Sequence, residues 1–355
     1  MDIRYLCYNL LRSDYRRISE YAAKVEALYG VSKYSVYLDM LNCLFKYNTR
    51  FLDYFYFRFF DPQTQKERGL HTNVWDMYLF QKRYNKEEDR YIFRDKVAFR
   101  DVFRDYFNYS FVVFKNREDM FKVISFLENN HLRKFVAKEP LGAVGKGVRV
   151  LTVENRDNIT YLKYSYRGTW IEGKMEEVLL SLYNEGFILY ESFIEQHEVL
   201  NALNFNSINT IRIVSFVKDN GEVELWGALL RIGLYESIDN FDAGGLAARI
   251  DKNTGIVISS AKVKDPFDNA EYSFHPITHA AILGIQIPYW SEVISMVKRA
   301  ALEVKAVRTV GWDIAITKNG PTFIEGNDNW DKTLFELISG EYIGNKIKSL
   351  LNTNI

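Results

Sequence analysis

Cysteine, proline and net charge are all scarce in this chain. Among its 355 residues only Cys7 and Cys43 are cysteines, and only six residues are proline. Two cysteines cannot build the disulfide framework of a small secreted scaffold. Both lie in apolar, helix-like sequence and read as buried small hydrophobes. A reducing, cytoplasmic compartment is the expectation. The N-terminus, MDIRYLCYNLLRSDYRR, lacks the apolar stretch and small-residue cleavage site of a signal peptide. No run of about 18 uncharged apolar residues occurs, so no transmembrane helix is expected. Lysine plus arginine and aspartate plus glutamate both total 46, for a formal net charge of +0. A balanced chain has no global field to gather nucleic acid or an anionic bilayer, which leaves only local patches for such partners.

What is present permits a sizeable core, because 47% of the residues are apolar. Over roughly the first 85 residues, apolar side chains recur at helical spacing, as in Tyr21, Val25, Leu28 and Tyr29 or Val36, Met40, Leu41 and Leu44. Three or four helices are expected there, broken near Gly30-Val31-Ser32 and at Asp61-Pro62. From Asp95-Lys96 onward, which opens a short amphipathic helix, the texture changes. Strands are expected at 111–115, 134–140 and 146–153, and a helix at 174–185. Strand-like runs then dominate: 187–194, 208–217, 222–233 and 247–251. A helix over 291–306, a hairpin over 310–326 and a helix over 332–350 complete the chain. Tight turns such as Asn220-Gly221 imply antiparallel sheet with helices set to one side, an α+β organisation.

Two segments carry chemistry. FVAKEPLGAVGKGVRV at 135–150 reads as strand, Gly-rich loop, strand. Gly142, Gly145 and Gly147 allow close backbone approach to a ligand, and Lys138 and Lys146 supply positive charge. The spacing fits neither a Walker A loop nor GxGxxG, so a plain structural turn stays open. The second segment is VRTVGWDIAITKNGPTFIEGNDNWD at 307–331. Asp313 and Glu325 sit in apolar strands, where a carboxylate needs a cation or hydrogen bonds. A two-residue turn at Asn319-Gly320 would place Asp313 opposite Gly326. A three-residue loop, Lys318-Asn319-Gly320, pairs Asp313 with Glu325 and puts Asn327 on the same face. Two carboxylates and an amide oxygen suit a hard cation such as Mg²⁺. Edge charges of an ordinary hairpin are the plainer alternative.

Taken in order, these elements resemble the ATP-grasp superfamily, and the wording NTIRIVSF, DAGGLAARID and GWDIAI…IEGN is similar to its members associated with sugar transfer and polysaccharide biosynthesis. The resemblance covers about residues 90–350. It implies two α+β lobes with largely antiparallel sheets, preceded here by a helical region: 1–88 helical, 89–188 the first lobe with its lid, 189–355 the second lobe with the ATP and magnesium site. It matches Lys96 and Lys138 to the phosphate-holding lysines, and Gly142, Gly145, Lys146 and Gly147 to the lid. Glu191 matches the acid beside the adenine, Phe193 and Ile194 the hinge, and Glu198 the ribose carboxylate. Asp313, Glu325 and Asn327 match the magnesium ligands. Arg212 and Arg231 match basic residues near the transferred phosphate, with Lys146 beside them as a catalytic group.

The implied cofactors are ATP and Mg²⁺. The implied activity is an ADP-forming carboxylate–amine ligase acting on a small-molecule or glycan acid and an amine, with glycan-assembly proteins as partners. A kinase that phosphorylates a hydroxyl, and a nucleotide-binding module without turnover, are the alternatives. Asn209 and Arg212 lie three apart on a strand and face opposite sides, so only one enters a cleft; Arg212 is the choice. His275 and His279 flank Pro276, which argues against a helical metal pair.

Overall fold

Helix boundaries in the first third of the chain are set by short polar caps. In the computed structural model, which describes residues 6, 10–142, 147–234, 241 and 244–352, α1 (Tyr15–Tyr29) begins at Asp14, whose carboxylate accepts from the Arg17 N–H, and ends at a left-handed Gly30. Ser32 caps α2 (Lys33–Tyr47) in the same way. Ile18, Tyr21, Ala22 and Val25 of α1 and Val36, Met40, Cys43 and Leu44 of α2 pack with α3 (Phe51–Tyr56) in one core. Cys43 is therefore buried as expected; Cys7 lies outside the described residues. α4 (Val74–Tyr84) and α5 (Glu87–Arg94) follow. Asp95 ends α5 and starts α6 (Lys96–Val102), accepting from the N–H groups of Val97 and Ala98 at 2.7 and 3.1 Å.

The first sheet has six antiparallel strands. In chain order the elements are β1 (Phe111–Val113), α7 (Met120–Asn129), β2 (Lys134–Lys138), β3 (Val148–Arg156), β4 (Ile159–Tyr166), β5 (Thr169–Lys174), α8 (Met175–Asn184) and β6 (Leu189–Ser192). Their spatial order is β1-β6-β2-β3-β4-β5. Both helices pack against the sheet through a core that includes Val123, Leu127, Phe135, Leu151, Leu179 and Leu182.

The second sheet has five antiparallel strands in the order β11-β10-β7-β8-β9. After the short α9 (Glu198–Asn201) come β7 (Thr210–Val217), β8 (Val223–Ile232), β9 (Leu246–Ile250), α10 (Trp290–Ala300), β10 (Thr309–Thr317), β11 (Gly320–Asn327), α11 (Lys332–Ser339) and α12 (Gly344–Asn352). Ile211, Ile213, Leu230, Ile232, Trp312 and Ile314 meet α10 in one core. Alternation along the strands therefore sends Arg212, Arg231 and Asp313 to the other face. The helical region is tied to this lobe. Phe80 and Tyr84 of α4 pack with Phe216, Trp226 and Ile347. Lys332 donates to buried Asp53 at 2.9 Å, and the Glu336 carboxylate accepts from the Thr72 N–H at 3.0 Å.

Several expectations need correction. The β4–β5 hairpin and α5 were not foreseen. The turns at Asp157-Asn158 and Arg167-Gly168 hold positive φ at both central positions, the twist a tight hairpin needs. The single helix expected over 332–350 is two helices, because Gly340 adopts a left-handed conformation at φ 65°. α10 stops at Ala300 instead of near 306. The chain must turn there so that the Lys86 N–H reaches the Ala306 carbonyl and the Arg308 N–H reaches the Tyr84 carbonyl.

Candidate functional site

A cleft of about 1240 Å³ lies between the two sheets. Its first wall comes from α6 and the first sheet. Val136 pairs with Glu191 across β2 and β6, so Lys138, two residues on, shares the face of Glu191. The Lys138 amine is 2.5 Å from Glu191, and Arg100 bonds the other carboxylate oxygen. Burial alone would raise the Glu191 carboxyl; Arg100 and Lys138 outweigh it and hold it below the usual range. Burial lowers the Lys96 amine, which Glu325 across the cleft partly offsets. Lys96 donates to the Gly142 carbonyl, and its own N–H donates to the Pro140 carbonyl at 3.0 Å.

The neck of the Gly-rich segment explains two of its glycines. The Glu139 N–H donates to the Gly147 carbonyl at 2.9 Å. A Cβ on Gly142 would stand 3.0 Å from the Gly147 Cα, and one on Gly147 would press on the Glu139 side chain. Gly145 and Lys146 lie outside the described residues.

The second wall is the outward face of β7, β8, β10 and β11. Asp313 pairs with Arg212 on one side and Glu325 on the other, while Gly311 pairs with Asn327. The expected Asp313–Glu325 pairing is therefore present, by a different route. The turn is two residues, Lys318-Asn319, with Thr317 opposite Gly320. Left alone, that register would send Glu325 to the far face. A bulge at Ile324 absorbs one residue and returns it.

Electrostatics divide the two acids. Arg212 grips Asp313 with two N–H groups, the second at 2.8 Å, and Arg231 adds a bond at 3.0 Å. Burial would raise the Asp313 carboxyl, but Arg212 and Arg231 outweigh it and hold it at about 2. Glu325 is pushed up, first by burial and then by Asp313. The Asn327 amide donates to Glu325 at 3.3 Å. The donor set is all oxygen, and among the described residues Glu325 makes no direct ion pair, Arg212 offsetting its charge only in part, so the residues fit a hard divalent ion. Among the described residues, no group of three or more His, Cys, Asp or Glu forms a metal cluster; this set holds two acids and an amide.

The other predicted residues distribute as follows. Lys96, Lys138, Gly142, Glu191, Phe193, Ile194, Glu198, Arg212, Arg231, Asp313, Glu325 and Asn327 all line the cleft, whereas Gly147 sits at the neck and does not. Phe193 carries the Lys134 amine 3.9 Å from its ring centroid. Ile194 is buried, and Glu198 opens α9 at the cleft as an exposed side chain. Glu191 is wholly buried among cations, not held out toward a base. Asn209 is buried on the opposite face, where its amide donates to the Leu200 and Asn204 carbonyls. His275 lies buried with Nε2 3.0 Å from the Gly233 carbonyl.

Sequence reasoning missed Arg100 and Asp328. Arg100 is fully buried and also reaches Tyr109 and the carbonyl of Ile324, the bulge residue. Its position four after Lys96, on the same face of α6, was the available signal. Asp328 is buried at the end of the hairpin between Arg90 and Arg94.

A family model described as sugar-transfer associated ATP-grasp matches residues 78–352. The chain belongs to that family. It has the ATP-grasp fold, with two antiparallel sheets and helices at the N-terminus. No curated protein matches the ATP-grasp chain by sequence. Among solved structures, biotin carboxylase from Campylobacter jejuni is similar at 14% identity over 82% of this chain and 51% of that one, with a TM-score of 0.44. D-alanine–D-alanine ligase from Helicobacter pylori is 9% identical over 74% and 62%, with a TM-score of 0.40. N5-carboxyaminoimidazole ribonucleotide synthetase from Thermotoga maritima is 11% identical over 74% and 50%, with a TM-score of 0.39. The chain thus spans about half to three-fifths of the length of these structures.

Proposed function

We propose that this ATP-grasp chain is an ADP-forming ligase that joins a carboxylate to an amine, with a sugar acid or an amino-acid substituent of a glycan as the acid. The observation that carries this reading is that Lys96 and Lys138 share one cleft with Asp313, Glu325 and Asn327. A triphosphate needs cations on one side and a metal-binding oxygen set on the other. In this reading residues 89–188 supply the lysine wall and lid, residues 189–355 supply the acidic wall, and residues 1–88 brace the second lobe.

Lys96 and Lys138 hold phosphate oxygens, and the glycine segment from Gly142 to Gly147 covers them. Phe193 and Ile194 border the base, with Glu198 at the ribose. Asp313, Glu325 and Asn327 would hold Mg²⁺, which when bound neutralises phosphate charge. Arg212 and Arg231 lie where negative charge develops as the γ-phosphoryl group passes to the substrate carboxylate. The resulting acylphosphate has a good leaving group, and an amine displaces phosphate from it. Covering by the lid excludes water from that intermediate.

Incubation with ATP, Mg²⁺ and panels of acids and amines tests this. The expected result is release of ADP and phosphate that requires both substrates, with an amide product by mass spectrometry. AMP as product, or a stable phosphorylated alcohol, would overturn it.

A further inference from the structure

Helix α2 is apolar on two sides. Val36, Met40, Cys43 and Leu44 face the core. On the outer side Tyr34, Leu38, Leu41 and Phe45 follow steps of four, three and four, which makes one stripe. These four are 68%, 70%, 37% and 60% exposed. Leu28, near the end of α1 and just before the turn into α2, is 62% exposed. None of the five lines the cleft.

Two lysines are the exposed charges of α2 itself, and the exposed Glu26 of α1 accepts from the Lys33 N–H at 3.1 Å. Lys33 and Lys46 stand exposed at the two ends of α2. Asp39, the helix's one carboxylate, is turned to the Tyr54 hydroxyl at 3.0 Å and to Arg68 at 2.9 Å. Residues 1–88 hold 14 lysines and arginines against 11 aspartates and glutamates, although the whole chain is balanced. No helix among the described residues is long and apolar enough to cross a membrane. An apolar stripe flanked by lysines suits the plane of a bilayer instead.

We propose that the outer face of α2 docks on an anionic phospholipid surface, with Tyr34, Leu38, Leu41 and Phe45 at the acyl boundary and Lys33 and Lys46 among the headgroup phosphates. Self-association fits the face less well. A twofold axis across the helix would run two copies of α2 antiparallel and set Lys33 of one against Lys46 of the other. The 15-residue helix is only about 22 Å long, too short to supply the roughly 800 Å² per partner of a stable interface. This docking is independent of the ligase reading.

Sedimentation with vesicles tests it. The chain pellets with phosphatidylcholine vesicles containing phosphatidylglycerol and stays in solution with phosphatidylcholine alone. Leu38→Glu with Phe45→Glu lowers the bound fraction constant by about tenfold or more. Lys33→Glu with Lys46→Glu lowers it too and removes its salt dependence. Both double variants keep the parent's melting temperature and nucleotide affinity. Failure of the parent to pellet with the anionic vesicles, or equal pelleting of the Leu38→Glu/Phe45→Glu variant, overturns the proposal. A parent dimer in light scattering that this variant splits would give the face to a second copy, and that also overturns it.

Discussion

The two walls of the cleft use the same device to opposite ends. On each, a buried carboxylate sits between two cations: Glu191 between Arg100 and Lys138, Asp313 between Arg212 and Arg231. The first wall adds Lys96 and ends with excess positive charge. The second adds Glu325, so its charges cancel and, among the described residues, this acid makes no direct ion pair and is pushed up by burial and Asp313. A shared motif thus prepares one wall for phosphate and the other for a cation. What differs is a single added residue on each side.

The severest way to break the comparison is to remove the acid that both arginines share. Asp313→Asn leaves Arg212 and Arg231 without the carboxylate that both of them bond. Stability should fall by roughly 3–5 kcal/mol, read by urea unfolding, and ATP-dependent turnover by about a thousandfold. Retained stability would mean that the arginines are held by something other than Asp313. On the opposite wall, Lys138→Met leaves Glu191 with Arg100 alone and exposes phosphate to an acid. Nucleotide affinity should weaken by about 10- to 100-fold in calorimetry, the worth of one charged hydrogen bond. An unchanged affinity would remove the first wall from phosphate binding.

Acid separates the walls more gently. Asp313 has a folded pKa of about 2 against an ordinary 3.8. Its stabilisation, about 2 kcal/mol by linkage, is fully present above the unfolded value and is lost as pH falls through the folded one. The stability gap between parent and Asp313→Asn should therefore narrow by about 2 kcal/mol between about pH 4 and pH 2. A gap unchanged across that range would show that charge on Asp313 is not what holds the arginines.

Much of this arrangement was legible in advance because it is local. Helical spacing gave α1 and α2 within an expected three or four helices, though not the break at Asn48, and alternation gave the sidedness of Arg212 against Asn209, which the buried amide of Asn209 bears out. The Asp313–Glu325 pairing was also foreseen, but its mechanism was not. The bulge at Ile324 meets a tertiary contact, the Arg100 guanidinium on the Ile324 carbonyl, and no window of sequence contains both. Arg100 itself hid for the same reason. Its partners Glu191 and Ile324 lie 91 and 224 residues away. Asp328 likewise reads as a loop acid until α5 folds Arg90 and Arg94 over it.

The mildest change sharpens the comparison most, because it should move stability and function in opposite directions. Glu325→Gln removes the acid that burial and Asp313 push up. In the parent, the folded pKa of Glu325 lies above the unfolded one, so ionising it costs stability as pH rises through that raised value. At neutral pH without divalent ions the variant should be more stable by about 1 kcal/mol, the usual scale of a like-charge pair relieved in a partly buried site. Adding Mg²⁺ with nucleotide should stabilise the parent by mass action and the variant far less, so the two unfolding curves exchange order. A variant less stable than the parent in the absence of ions would mean that Glu325 serves the fold. The second wall would then be a closed ion network like the first, with no place for a cation.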